Sequence, residues 1–162
     1  MAVLDRSDTA SLGLPFMDQA RARFAGLLAQ VEAAGNAALP EAWRDLLAYA
    51  AELFACEDIW MRASGFAARR DHAAQHRVVL EVMREGAVHA AEWRLAQLRE
   101  MARQLRAWHE AHGRTMDAPL AHHLRMRRAG RGSVAARLGR GAGQSQPAAS
   151  REARGDRRLQ RR

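Results

Sequence analysis

Apolar residues return every three to four positions along four successive stretches of this chain, a period that helices satisfy and strands do not. The first stretch runs from Pro15 to about Ala33 and carries Phe16, Ala20, Phe24, Leu27, Leu28 and Val31. Gly35, Asn36 and Pro40 break it, proline being tolerated in the first turn of the helix that follows. That second helix is expected from about Pro40 to Ala63, with Leu46, Leu47, Ala50, Leu53, Phe54, Glu57, Trp60 and Met61 inward and Ser64-Gly65 closing it. A third begins near Arg69, bears His72, His76, Val79, Leu80 and Met83, and is expected to pause at Gly86. The fourth continues through Trp93, Leu95, Leu98, Met101, Leu105, Trp108 and His112. Asp117-Ala118-Pro119 is expected to interrupt it, leaving a short helical piece at 118–127. Four amphipathic segments joined by short turns predict an all-α, antiparallel up-and-down four-helix bundle.

Charge divides the chain sharply. All 26 basic residues are arginines, and twelve of them lie between Arg125 and Arg162 against two acids, Glu152 and Asp156. That segment carries ten surplus positive charges, so residues 1–124, with fourteen arginines and sixteen acids, carry a net −2. The C-terminal stretch is also rich in Gly, Ser and Gln and lacks the apolar surface that offsets ordering entropy. The domain reading is therefore an N-terminal arm at 1–14, the bundle at 15–127 and a disordered arginine-rich tail at 128–162. Charge alone would let that tail meet an anionic partner, such as a nucleic acid or an anionic membrane. A solvated extension with no partner is the plainer reading.

No apolar run approaches the roughly 20 residues of a membrane span. The opening MAVLDRSDTASLGLP lacks the features of a secretory signal, so a cytoplasmic protein is expected. The single cysteine, Cys56, cannot form an internal disulfide and reads as a small buried apolar residue. Trp43, Trp60, Trp93 and Trp108 read as core or boundary residues, and His122 and His123 as surface residues.

Glu57, His72, His76, His112 and Asp117 are the residues on which chemistry can be built. His72 and His76 are four apart and stack on one helix face, where two imidazoles can share one transition-metal ion. Carboxylates on facing helices could complete or bridge its coordination.

These residues sit in four segments whose order resembles the bacterial hemerythrin family over roughly residues 11–124. SLGLPFMD looks like that family's approach to its first helix. YAAELFACEDIWM is similar to its second-helix pattern of Tyr, then His-Phe-x-x-Glu-Glu-x-x-Met. HAAQH matches its pair of histidines four apart, and WHEAHGRTMD matches Trp-x-x-x-His followed five residues later by Asp. The resemblance implies a di-iron bundle in which three histidines serve one iron, two serve the other, and a glutamate and an aspartate bridge them. It assigns His72, His76 and His112 to the three-histidine iron, and Glu57 and Asp117 to the bridges. Its two remaining histidine positions hold Arg21 and Leu53, neither of which can donate a lone pair to a metal. An inward Arg21 would instead give the carboxylates a positive partner through up to two hydrogen bonds, while Leu53 would fill the vacated volume.

The expectation is a non-enzymatic, hemerythrin-like metal-binding protein. It would hold iron, one or two ions, with zinc or manganese as other occupants, and bind or sense O2, NO or iron itself. A second reading, from another class, is a metal-free helical interaction module whose arginine tail binds an anionic partner.

Overall fold

A computed structural model describes residues 11–141, with side chains as far as 131. Among the described residues the chain divides into two units, one ending at Arg128 and one beginning at Ala129. The first contains four helices: α1 (Pro15–Ala33), α2 (Leu39–Ser64), α3 (Arg69–Ala91) and α4 (Leu95–His112). Each of α1·α2, α2·α3, α3·α4 and α1·α4 is in contact, so the helices close a ring as an up-and-down bundle does.

Each helix buries one stripe, although Phe16, expected inward on the first, is 39% exposed. On α1 the stripe is Met17, Arg21, Phe24, Leu28 and Val31. On α3 it is His72, His76, Val79, Met83, Gly86 and Ala90, and on α4 Leu95, Leu98, Ala102, Leu105, His109 and His112. At one end of the bundle these stripes meet as hydrocarbon around Leu28, Leu39, Trp43, Leu46, Met83 and Leu98, all at most 1% exposed. Further along, the same stripes turn polar where the buried polar residues cluster, and beyond them a second apolar cluster forms around Met17, Met61, Phe66 and Leu120.

Several local features depart from the sequence reading. Gly86 does not interrupt α3: an added Cβ would run into the Trp43 ring, whose Nε1 donates to Met83 O at 2.9 Å. The glycine is there for a close approach rather than a pause. Trp93 is 60% exposed and has φ 59, in the turn before α4, so it is neither core nor boundary. Cys56 is exposed, on the outer side of α2, and is not the buried apolar residue expected. Of the arm, Leu12 and Leu14 are buried, held where Asp18 accepts from Leu12 N at 2.7 Å and Ser11 Oγ at 2.8 Å. Residues 1–10 lie outside the described residues.

The expected break at Asp117-Ala118-Pro119 does not occur either. Gly113–Asp117 forms a π-helical turn and α5 (Ala118–Gly141) follows it directly. The backbone N–H of Ala118 reaches Gly113 O, five residues back, so the hydrogen-bond register shifts just before Pro119, which has no N–H to give. Helical backbone continues past residue 127, where the sequence placed the end of the bundle, as far as Gly141. Its alanine, leucine and arginine content supports helix, although each glycine costs about 1 kcal/mol. The remaining tail residues, 142–162, lie outside the described residues.

Candidate metal centre

Five side chains from four elements converge in the polar part of the bundle. Glu57 comes from the inward stripe of α2, His72 and His76 from adjacent turns of α3, His112 from the last residue of α4, and Asp117 from the π turn. The π turn is what brings in the last of these. Two residues five apart on an α-helix lie roughly 140° apart around its axis, so they cannot face the same point. The wider turn, closed from i to i+5, brings Asp117 back over His112.

Glu57, His72, His76 and His112 carry their donor atoms to within 4.8 Å of one another, and Asp117 stands at the edge of that group. His112 Nε2 is 3.0 Å from His72 Nε2 and 3.1 Å from His76 Nε2. Glu57 Oε2 lies 3.2 Å from His76 Nε2 and 3.5 Å from His72 Nε2. Asp117 Oδ1 lies 3.3 Å from His112 Nε2 and 3.4 Å from His72 Nε2. Ligands held about 2.0–2.1 Å from a common metal stand roughly 3.0–3.4 Å from one another, depending on geometry. The observed separations fall at that spacing. Every residue of the set is at most 3% exposed.

Hydrogen bonding does not account for this packing. Glu57 Oε2 and Asp117 Oδ1 are fully buried, and neither has a hydrogen-bond partner. Such orphaned anionic oxygens are costly in a dry interior unless a cation meets them. On His112, Nδ1 lies 3.0 Å from Gln75 Oε1, an acceptor only, so Nδ1 carries the proton and Nε2 presents its lone pair inward. The rings are also locked by stacking: Phe54 on His76 at 4.0 Å and Trp108 on His112 at 4.5 Å. The donor set therefore fits a transition-metal ion. His72, His76 and His112 supply imidazole nitrogens, with Glu57 and Asp117 supplying carboxylate oxygens.

The titration behaviour shows the same demand for positive charge. Burial pulls His72 down, but the Asp117 and Glu57 carboxylates beside it outweigh this and raise it to about 9. His76 is lowered, chiefly by burial. Burial pushes the Asp117 carboxyl up, yet the His112 and His72 rings and then the charge of Arg21 hold it well below the usual carboxylate range.

Comparison with known proteins agrees. The chain is 31% identical over 127 residues to a protein of Ralstonia nicotianae named Bacteriohemerythrin, covering 78% of this chain and 93% of that relative. This chain belongs to the bacteriohemerythrin family. No family model matches it, and no solved structure matches it.

Within that family frame, four of the five expected ligand residues, Glu57, His72, His76 and His112, form one group that could hold a metal ion, and Asp117 borders it beside His72 and His112. The two positions at which the bacteriohemerythrin pattern has histidine are also resolved. Arg21 points inward, 6% exposed, and its Nη1 donates to Asp117 Oδ2 at 3.0 Å, one bond rather than the two allowed for. Leu53, 7% exposed, joins the hydrocarbon core. His109 is buried, with its ring stacked on Phe24 at 4.5 Å, and it stands outside the converging cluster. His122 is exposed as expected, whereas His123 is half-buried with Nε2 3.0 Å from Ser64 O. Sequence reasoning did not find Gln75 or Gly113. Gln75 is one residue from His76 but carries no spacing signal, because its role depends on a ring contributed by another helix.

Proposed function

We propose that this bacteriohemerythrin-family protein binds a transition-metal ion, iron foremost, through His72, His76, His112, Glu57 and Asp117, and offers it to a small diatomic ligand such as O2 or NO. The observation that carries the reading is the convergence of three imidazole Nε2 atoms on two orphaned carboxylate oxygens in a dry core. A bound ion would supply a Lewis acid, redox-capable if iron, to a small ligand.

The chain's own residues do the rest. Gln75 fixes the His112 tautomer, and Phe54 and Trp108 hold two of the rings in orientation. The role proposed is binding or sensing of that ligand. Among the described residues no helix is long and apolar enough to cross a membrane.

The test is elemental analysis of full-length protein after iron-supplemented expression, followed by exposure of the ferrous protein to NO. Stoichiometric iron with a ligand-dependent optical and EPR change is the expected result. Less than about 0.1 equivalents of any transition metal would overturn the reading and favour the metal-free interaction module.

A further inference from the structure

We infer that Arg21 serves as a built-in second cation that restricts this centre to one metal ion per chain, an inference that rests on the metal-binding reading above. Asp117 has two oxygens, and the structure gives each a different partner. Oδ1 faces the Nε2 atoms of His112 and His72 at 3.3 and 3.4 Å, the side on which the imidazoles converge. Oδ2 accepts a hydrogen bond from Arg21 Nη1 at 3.0 Å. A carboxylate between two positive centres is the arrangement of a bridged metal pair. Here one of those centres belongs to the polypeptide.

A guanidinium suits the position for reasons that also exclude a metal from it. It stays protonated at any physiological pH and has no lone pair to donate. It therefore offers Asp117 a positive partner without ligating an ion. The pair is sealed, with side-chain exposures of 7% for Arg21 and 4% for Asp117. An ion arriving on the Oδ2 side would meet a fixed like charge at close range. It would also find few donors: among the described residues one cluster of three or more metal-capable side chains exists, namely Glu57, His72, His76 and His112.

Space for the guanidinium is provided by an independent feature, Gly113. A Cβ at this position would collide with Nη1, Nη2 and Cζ of Arg21. The backbone there is ordinary right-handed helix, φ −56 and ψ −43, so the glycine is not required by conformation. It is required by what lies against it. Arg21 on α1, Gly113 opening the π turn and Asp117 closing it thus form one device: a cation, a notch for the cation and the anion it holds.

The experiment loads full-length protein with excess Fe(II) under anaerobic conditions, desalts it and measures iron per chain. In parallel, Co(II)-loaded protein is examined by EPR. The wild type should retain about one equivalent, with a cobalt signal of isolated ions that integrates to all the bound cobalt. Arg21→His with Leu53→His should retain about two equivalents and show a signal diminished by coupling between the ions. Two equivalents in the wild type would overturn the inference while leaving the metal-binding reading in place. No metal in the wild type would overturn both. A double variant that is folded by circular dichroism yet stays at one equivalent would overturn the role given to Arg21. If that variant does not fold, the wild-type stoichiometry and cobalt spectrum decide the question alone.

Discussion

Replacing Gly113 by alanine should destabilise this protein, although the same change in most helix interiors does the opposite. Gly113 has helical dihedral angles, so alanine would ordinarily gain about 1 kcal/mol there through helix propensity. The added methyl would, however, occupy the volume now filled by the Arg21 guanidinium. Arg21 must then shift, and where the shift parts its guanidinium from Asp117 Oδ2 a buried carboxylate loses its charged partner. Breaking a buried pair in this way costs about 3–5 kcal/mol, so the net loss should be about 2–4 kcal/mol. For a chain of this size that corresponds to a fall in Tm on the order of 10 °C. The assay is thermal and urea denaturation of chelator-treated protein, so that metal binding does not enter the comparison. Gly26→Ala is the internal control, because Gly26 lies exposed within α1 with nothing within 4 Å of an added Cβ. It should gain stability, by about 1 kcal/mol. In an Arg21→Ala background the Gly113→Ala step should also become stabilising, since its obstacle has gone. A Gly113→Ala protein as stable as, or more stable than, the wild type would refute the reasoning.

Three further outcomes are expected. His112→Ala removes the nitrogen at the middle of the cluster and should reduce bound metal from about one equivalent to below about 0.1 without loss of helical circular dichroism. Gln75→Leu removes the acceptor at His112 Nδ1 and should weaken metal affinity by roughly 10–100-fold in a competitive chelator titration; unchanged affinity would dismiss the tautomer argument. His109 is lowered to about 4 by burial and then by the charge of Arg21. Below its ordinary value of 6.5 the unfolded chain therefore takes up a proton that the folded chain refuses, and stability falls as pH drops through that window. The loss by pH 4 should be about 3 kcal/mol, and His109→Phe should abolish it in urea titrations compared across the window. Equal pH slopes for the two proteins would show that His109 is not protected by its burial.

Much of the fold could be read from periodicity, since the stripes that define a bundle are local properties. The limits of α1, Pro15 to Ala33, follow from a proline at one end and the loss of pattern at the other. Cys56 is outward for a reason the sequence already holds: it lies roughly 110° from the centre of the buried stripe of α2. Trp93 was misjudged because bulk and hydrophobicity say nothing of a turn with positive φ. The Asp117-Pro119 break failed for a different reason. Breaker rules assume α register, whereas here the chain widens to a π turn that both tolerates the proline and aims Asp117 inward. The five-residue interval between His112 and Asp117 was the visible sign of that turn, for no regular α-helix points both residues at one ion.

Arg21 marks the boundary between what one helix can disclose and what only tertiary contact can. Its inward orientation is already implied by α1, where it falls in the stripe Met17, Phe24, Leu28 and Val31. An arginine at such a position is a liability unless the fold supplies both a counter-charge and a volume to match. Asp117 supplies the charge and Gly113 the volume, from the far end of the sequence and within a single turn. Neither alone would suffice: the carboxylate without the notch leaves the guanidinium nowhere to lie, and the notch without the carboxylate leaves a buried charge unpaired. The three residues are therefore coupled, and changing any one of them should alter the energetic effect of changing the others. That coupling is what separates a refitted half-site from a ligand position that has drifted to an arbitrary residue, because drift would require no matching glycine.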